Sequence, residues 1–79
     1  MKYSKKQEVA KAWAVGQARK SGSFQTDGKK LFSYDLVIGE TQGLTKVLYD
    51  YTSKGSHGFR SMTTSGHVNA AKPFADVVE

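Results

Sequence analysis

Apolar and small residues recur four positions apart in the first twenty residues, which predicts an amphipathic helix from Ser4 to about Lys20. Val9 and Trp13 lie on the same side of this helix, together with a stripe of alanines. Ser4 and Gln7 have the spacing of a capping box, in which each side chain accepts a hydrogen bond from the other residue's backbone. The narrow stripe of small side chains predicts that the helix lies close to a sheet or to a second copy of itself.

Alternation with a period of two replaces the helical pattern further along the chain. The clearest strand is predicted at Lys30–Gly39. Its apolar side chains share one face: Phe32, Tyr34, Leu36 and Ile38. We expect Phe32 and Tyr34, with Trp13 of the helix, to lie in the core.

Shorter strands are predicted on both sides of this one. Ser23–Thr26 precedes it across the tight-turn dipeptide Asp27-Gly28. Leu44–Thr52 follows a turn at Glu40–Gly43, and a last strand is predicted at Phe59–Thr64.

The C-terminal part predicts a loop, a short helix and an extended tail. Ser53–Gly58 is a loop by composition, and Thr64 or Ser65 can cap a helix that ends before Pro73. Phe74–Val78 is then a candidate for a further short strand. The predicted fold is one α+β domain, with an N-terminal amphipathic helix packed on a small three- to four-stranded antiparallel sheet and a short C-terminal helix.

The positive charge of the chain is concentrated in its first third. Residues 1–30 carry eight basic and two acidic side chains, whereas residues 31–79 carry four basic and five acidic ones, for a total net charge of +5. A concentrated positive field attracts polyanions and accelerates their encounter. Three basic pairs stand out: Lys5-Lys6, Arg19-Lys20 and Lys29-Lys30.

Two interpretations of these pairs are open. In the first, Arg19-Lys20 and Lys29-Lys30 form one patch that neutralises phosphates, with Phe24 as a stacking face. In the second, the basic side chains only solvate a helix and a turn, and Arg19 and Lys20 meet the negative end of the helix dipole. No motif of a known base-reading module is present, so contacts to a nucleic-acid backbone are expected.

Tyr49 and Tyr51 support an alternative function of a different class. Because they share one face of the predicted strand, they are in the core together or exposed together. Exposed tyrosines are typical of protein interfaces, so this pair could bind or inhibit a host protein.

The segment TTSGH at residues 63–67 combines hydroxyls, a glycine and an imidazole. Thr64, Ser65 and His67 could bind an anion if they lie at a helix N-terminus, where backbone N–H groups are available. The other interpretation is a helix cap alone.

The sequence offers no constellation for catalysis, metal or cofactor binding. There is no cysteine, there are two histidines, and the acidic residues are scattered along the chain. We therefore expect a non-enzymatic protein without cofactor.

No apolar run has the length of about 20 residues that spans a bilayer, and the basic beginning lacks the apolar core of a signal peptide. A cytoplasmic location is expected, and a homo-oligomer is an open alternative because so short a chain buries little surface.

Two segments resemble a known group of proteins. LFSYDLVIG at Leu31–Gly39 and SMTTSGH at Ser61–His67 are similar to short, uncharacterised bacteriophage-type proteins. Those share a strand of the form aromatic-Ser-Tyr-x-x-x-Ile and a later Thr-Thr-Ser-x-His segment, and Asp35 stands where they have a small residue. The resemblance covers Phe32–His67 and implies a phage or mobile-element origin and a bacterial cytoplasm, without an assigned activity.

The sequence thus predicts a small basic binding protein. Its expected partner is nucleic acid, bound through the three basic pairs, and the alternative is a host protein bound through Tyr49 and Tyr51.

Overall fold

A computed structural model describes residues 4–53, 55 and 57–79 of the chain. Within them, two helices and six strands follow one another in the order α1 (Lys5–Ala14), β1 (Ala18–Ser21), β2 (Phe24–Asp27), β3 (Leu31–Ser33), β4 (Leu36–Gln42), β5 (Thr45–Leu48), α2 (Met62–Ala71) and β6 (Val77–Val78), with a 3₁₀ turn at Lys72–Phe74 before β6.

The fold is α+β, as predicted, with an N-terminal helix and a short C-terminal helix. The described strands form one sheet in the order β1-β2-β3-β4-β5-β6. The first four pairings are antiparallel and β5–β6 is parallel. The prediction of three to four antiparallel strands was therefore wrong. The parallel pair arises because α2 carries the chain back over the sheet between β5 and β6, and parallel strands require such a crossover.

Helix α1 begins as predicted and ends early. The capping box is present, since the Gln7 backbone N–H donates to Ser4 Oγ at 3.2 Å and the Ser4 N–H donates to Gln7 Oε1 at 3.0 Å. The helix ends at Ala14 because Gly16 adopts a left-handed backbone with φ +78°, a conformation that terminates helices. The residues beyond it form β1, so Arg19 lies in a strand, and the interpretation that it meets the helix dipole was wrong.

The predicted strand Lys30–Gly39 is interrupted in its middle. Tyr34 has φ +57° and turns the chain, which separates β3 from β4. The side chain of Tyr34 is 55% exposed, so its assignment to the core was wrong. Phe32 is half-buried, and Leu31 and Ser33 face the core in its place.

The other predicted boundaries shift for local reasons. β4 continues to Gln42, so the turn to β5 is tighter than Glu40–Gly43, and β5 ends at Leu48. The predicted strand Phe59–Thr64 is absent. Helix α2 begins instead at Met62, where Ser61 Oγ accepts the Thr64 N–H at 3.1 Å as the N-cap.

The end of the chain agrees more closely with the sequence. Helix α2 ends before Pro73, and two residues of the tail form β6. In the loop predicted at Ser53–Gly58, residues 54 and 56 lie outside the described residues; the rest of it has no helix or strand.

Both helices pack on one face of the sheet. The indole of Trp13 lies against Gly39 of β4, where an added Cβ would be 2.9 Å from Trp13 Cζ2. The fully buried residues between helices and sheet include Val9, Trp13, Phe24, Leu31, Ile38, Leu48 and Val68. No helix in the described part of the chain is long and apolar enough to cross a membrane.

The register defines the opposite face of the sheet. Lys20 of β1 pairs with Gln25 of β2, Gln25 with Phe32 of β3, and Phe32 with Val37 of β4. Because side chains alternate along a strand and Phe24 faces the helices, this row points away from them.

Candidate nucleic-acid-binding surface

The three basic pairs lie on adjoining elements. We call their six side chains the basic surface; all of them are exposed: Lys5 and Lys6 on α1, Arg19 and Lys20 on β1, and Lys29 and Lys30 in the β2–β3 turn.

Direct contacts hold these elements together. The Arg19 guanidinium forms a 2.8 Å salt bridge with Glu8, which ties β1 to the middle of α1. The Trp13 indole N–H donates to the carbonyl of Lys29 at 3.1 Å, which ties the β2–β3 turn to the end of α1. At Gly28 an added Cβ would lie 2.7 Å from the carbonyl oxygen of Gly16, so only glycine permits this approach.

The β2–β3 turn is organised by its own side chains. Asp27 Oδ1 accepts the backbone N–H groups of Lys29 at 2.9 Å and Lys30 at 2.8 Å. These hydrogen bonds hold the pKa of Asp27 below its usual 3.8. Because the carboxylate binds backbone groups, the turn presents the two lysine side chains to solvent.

Most of the basic surface is not neutralised by carboxylates. Within residues 4–53, 55 and 57–79, five of its side chains form no salt bridge: Lys5, Lys6, Lys20, Lys29 and Lys30. Arg19 is the exception, through Glu8. The field around these lysines is therefore net positive, although Lys20, on the sheet face away from the helices, does not share a face with Lys5 and Lys6 of α1.

The expected patch around Phe24 is only partly present. Arg19 and Lys20 are neighbours in β1, so their side chains point to opposite faces of the sheet. Phe24 is fully buried and stacks on the His67 ring, with centroids 4.3 Å apart and planes 5° apart. Its expected role as a stacking face was therefore wrong, because the ring is used to bind α2 to the sheet.

Tyr34 is the exposed aromatic near the basic surface that the sequence analysis missed. It lines a shallow groove of about 240 Å³ with Lys20, Gln25 and Asp35 and with the β1–β2 turn. A positive φ is uncommon for tyrosine, and neither glycine nor asparagine is present at this position to signal a turn.

Thr64, Ser65 and His67 lie inside helix α2 and not at its cap. Thr64 and His67 are buried, and both bond Ser33 of β3: His67 Nδ1 at 2.7 Å and Thr64 Oγ1 at 3.0 Å. The N–H groups of Thr64 and Ser65 donate to Ser61. The prediction that Thr64 or Ser65 caps the helix was therefore wrong. An anion site on these residues stays a prediction, although the backbone N–H groups of Thr64 and Ser65 that would bind the anion already donate to Ser61.

Burial lowers the pKa of His67 below its usual 6.5, and the charge of Lys6 lowers it further. Serine and histidine in hydrogen-bond contact, as Ser33 and His67 are, can serve in enzymes as a nucleophile and its general base. Ser33 is fully buried and His67 is 3% exposed, so neither presents a reactive atom to solvent. The arrangement is built to join β3 to α2.

Tyr49 and Tyr51 are half-buried beside His57, whose ring centroid is 5.1 Å from each of theirs. The Tyr49 hydroxyl donates to Glu40 Oε2 at 2.5 Å, and this bond raises the pKa of Tyr49 to about 12. The guanidinium of Arg60 lies 5.6 Å from the Tyr51 ring. Both tyrosines lie beyond the end of β5 and are half-buried, so they are neither in the core together nor exposed together on a strand face. Their role in an interface stays a prediction.

Among the described residues, no group of three or more His, Cys, Asp or Glu could hold a metal ion.

Comparison with protein families, with curated proteins and with solved structures finds no match.

Proposed function

We propose that this protein binds nucleic acid through its phosphates, using the basic surface. The observation that supports this is a set of five exposed lysines that form no salt bridge with any residue the structure describes, on elements that contact one another. Exposed lysines bind phosphates as point charges, and such contacts do not depend on the base sequence of the nucleic acid.

Binding of this kind is driven by release of counterions from the nucleic acid. Each neutralised phosphate contributes about −0.9 to the slope of log K against log salt on duplex DNA, so contact with all five lysines would give about −4.5 and contact with the lysines on one side of the sheet would give less. Arg19 contributes less, because Glu8 already neutralises it.

The experiment is a titration of labelled duplex, single-stranded DNA and single-stranded RNA by fluorescence anisotropy, at low and at physiological salt. The test variant is Lys20→Gln/Lys29→Gln/Lys30→Gln. A matched control, Ser53→Glu/Arg60→Glu, changes the net charge by the same amount at exposed positions between β5 and α2.

We expect the wild type to bind duplex with a micromolar or tighter dissociation constant at low salt, and this constant should rise steeply with salt. The test variant should reduce the salt slope by about 2.7, and the control should leave the slope unchanged. Equal losses in both variants would show that only total charge matters. No binding at low salt would overturn the proposal and leave the alternative, a protein partner at Tyr49 and Tyr51, to be tested by pull-down from a bacterial lysate.

A further inference from the structure

The groove beside Tyr34 lies between two turns at one end of the sheet. Its lining comes from the β1–β2 turn, the β3–β4 turn and the strands beside them: Lys20, Gly22, Ser23, Gln25, Tyr34 and Asp35. We call it the Tyr34 groove. Its volume of about 240 Å³ suits one aromatic ring system and not a folded domain.

Tyr34 is held in place at the expense of backbone strain. Among the described residues it is the only non-glycine with positive φ, at +57°. Its backbone N–H donates to the Ser23 carbonyl at 2.7 Å, and its ring lies 6.5 Å from the His67 ring at an angle of 46°. Tyr34 as a whole nevertheless remains 55% exposed. Strain that persists at an exposed aromatic points to a function for that side chain.

The charges of the groove favour a neutral occupant. Lys20 and Asp35 contribute opposite charges, so the lining as a whole carries no net charge. Gln25 adds an amide that can both donate and accept hydrogen bonds. A planar ring with a polar edge matches this lining better than a phosphate does, since a phosphate would face the Asp35 carboxylate.

Two of the lining side chains, Lys20 and Gln25, belong to the row that continues to Phe32 on the sheet face away from the helices. The Tyr34 ring lies at the end of the sheet, near His67. Lys20 also belongs to the basic surface. A chain whose phosphates follow the basic surface therefore has a base within reach of Tyr34.

We propose that the Tyr34 groove takes one unpaired nucleobase, which stacks on the Tyr34 ring while an adjoining phosphate contacts Lys20. This rests on the proposed binding of nucleic acid and makes it selective for single strands. In a duplex the bases are paired and stacked on each other, so they are not available to an aromatic side chain on a protein surface.

The test compares Tyr34→Gly with Tyr34→Phe. Glycine removes the ring and accepts the positive φ without strain, so the variant should fold. Phenylalanine keeps the ring and serves as the matched control. Each protein is titrated into labelled single strands of DNA and RNA about eight nucleotides long, and into a duplex.

For single strands we expect Tyr34→Gly to weaken binding by about tenfold or more, and Tyr34→Phe to weaken it by less than about threefold. Duplex binding should be unchanged in both, because the lysines are intact. Single-strand affinity unaffected by Tyr34→Gly would overturn this inference, and the binding of phosphates by the basic surface would still stand. A wild type that binds no nucleic acid at low salt would overturn both proposals.

A second measurement locates the base directly. A single strand carrying 5-iodouridine is cross-linked to the wild-type protein by light, and the modified residue is identified by mass spectrometry. We expect the adduct on Tyr34. Adducts confined to residues outside the Tyr34 groove would contradict the proposal even where affinity is high.

Discussion

Ser33 Oγ and His67 Nδ1 lie 2.7 Å apart in the core, joining the third strand to the second helix. Phe24 stacks on the other side of this contact, against the His67 ring. The two partners are 34 residues apart in the sequence, so this polar contact fixes how α2 lies on the sheet. A buried polar pair of this kind stabilises only while both members are present.

Ser33→Ala should lower the free energy of unfolding by about 1–3 kcal/mol, because it leaves the imidazole nitrogen buried without its partner. Urea denaturation at about pH 7.5 measures the loss, where the imidazole is neutral. Ser53→Ala, at an exposed position, is the control and should change stability by less than about 0.5 kcal/mol. Equal stability of the two variants would show that the Ser33 contact contributes nothing.

Stability should fall as the pH falls below about 7. Burial, and then the charge of Lys6, hold the pKa of His67 below 6.5 in the folded protein, whereas the unfolded chain titrates at its usual value. Between these two values the unfolded state binds more protons, so acidification favours unfolding until the folded pKa is passed. The pKa values of Asp27 and Asp50 are lowered below 3.8, so their titration affects stability only at more acidic pH.

Urea denaturation at several pH values between about 5.5 and 7.5 measures this dependence. Its control is Ser33→Ala/His67→Phe, which keeps a ring against Phe24 and leaves no unpartnered imidazole. The double variant should lose the pH dependence in that range. A wild type equally stable across the range would contradict a lowered pKa of His67.

Substitutions at Tyr34 should rank by how well each residue tolerates positive φ. Tyr34→Val should lower the free energy of unfolding by about 1–2 kcal/mol, because β-branched residues are strongly disfavoured in the left-handed region. Tyr34→Gly should be more stable than Tyr34→Val by about 1–2 kcal/mol, because glycine tolerates a positive φ. Tyr34→Phe should match the wild type. Thermal denaturation of the series checks this order, and a valine variant as stable as the glycine variant would contradict the strain.

Gly39→Ala should disturb the only tryptophan of the chain. The added methyl would lie 2.9 Å from Trp13 Cζ2 and 3.1 Å from Leu31 Cβ, and overpacking of this kind costs about 1–3 kcal/mol. Because the chain has one tryptophan, its fluorescence emission reports the displacement of this ring. Gly43→Ala is the control: Gly43 has φ +64°, and an added Cβ would have no atom of the described residues beyond its chain neighbours within 4 Å, so the substitution should cost stability without changing the emission.

Local signals predicted the features that local chemistry decides. The capping box of Ser4 and Gln7 and the turn at Asp27-Gly28 depend on side chains a few residues apart, and both are present. The burial of Trp13 followed from its place on the helix stripe.

Features decided by distant contacts were not predictable. A glycine within a helical pattern usually costs stability without ending the helix, whereas Gly16 takes a positive φ and its carbonyl lies beside Gly28 of the β2–β3 turn. Tyr34 continues an alternating pattern, yet its N–H is bound by Ser23 on another turn and the strand breaks. Phe24 is an aromatic residue that could stack on a base, but in the structure its ring stacks on His67, which is far away in the sequence.

Strand β1 lies at one edge of the sheet, and its two central side chains, Arg19 and Lys20, are both cationic. A second copy that added its own β1 to this edge would bring these like charges together, and edge lysines are a known protection against such pairing. The residues proposed to attract polyanions therefore also protect the protein from aggregation at this edge. A bound polyanion that neutralised Lys20 would weaken that protection, because the Arg19 charge is already paired with Glu8.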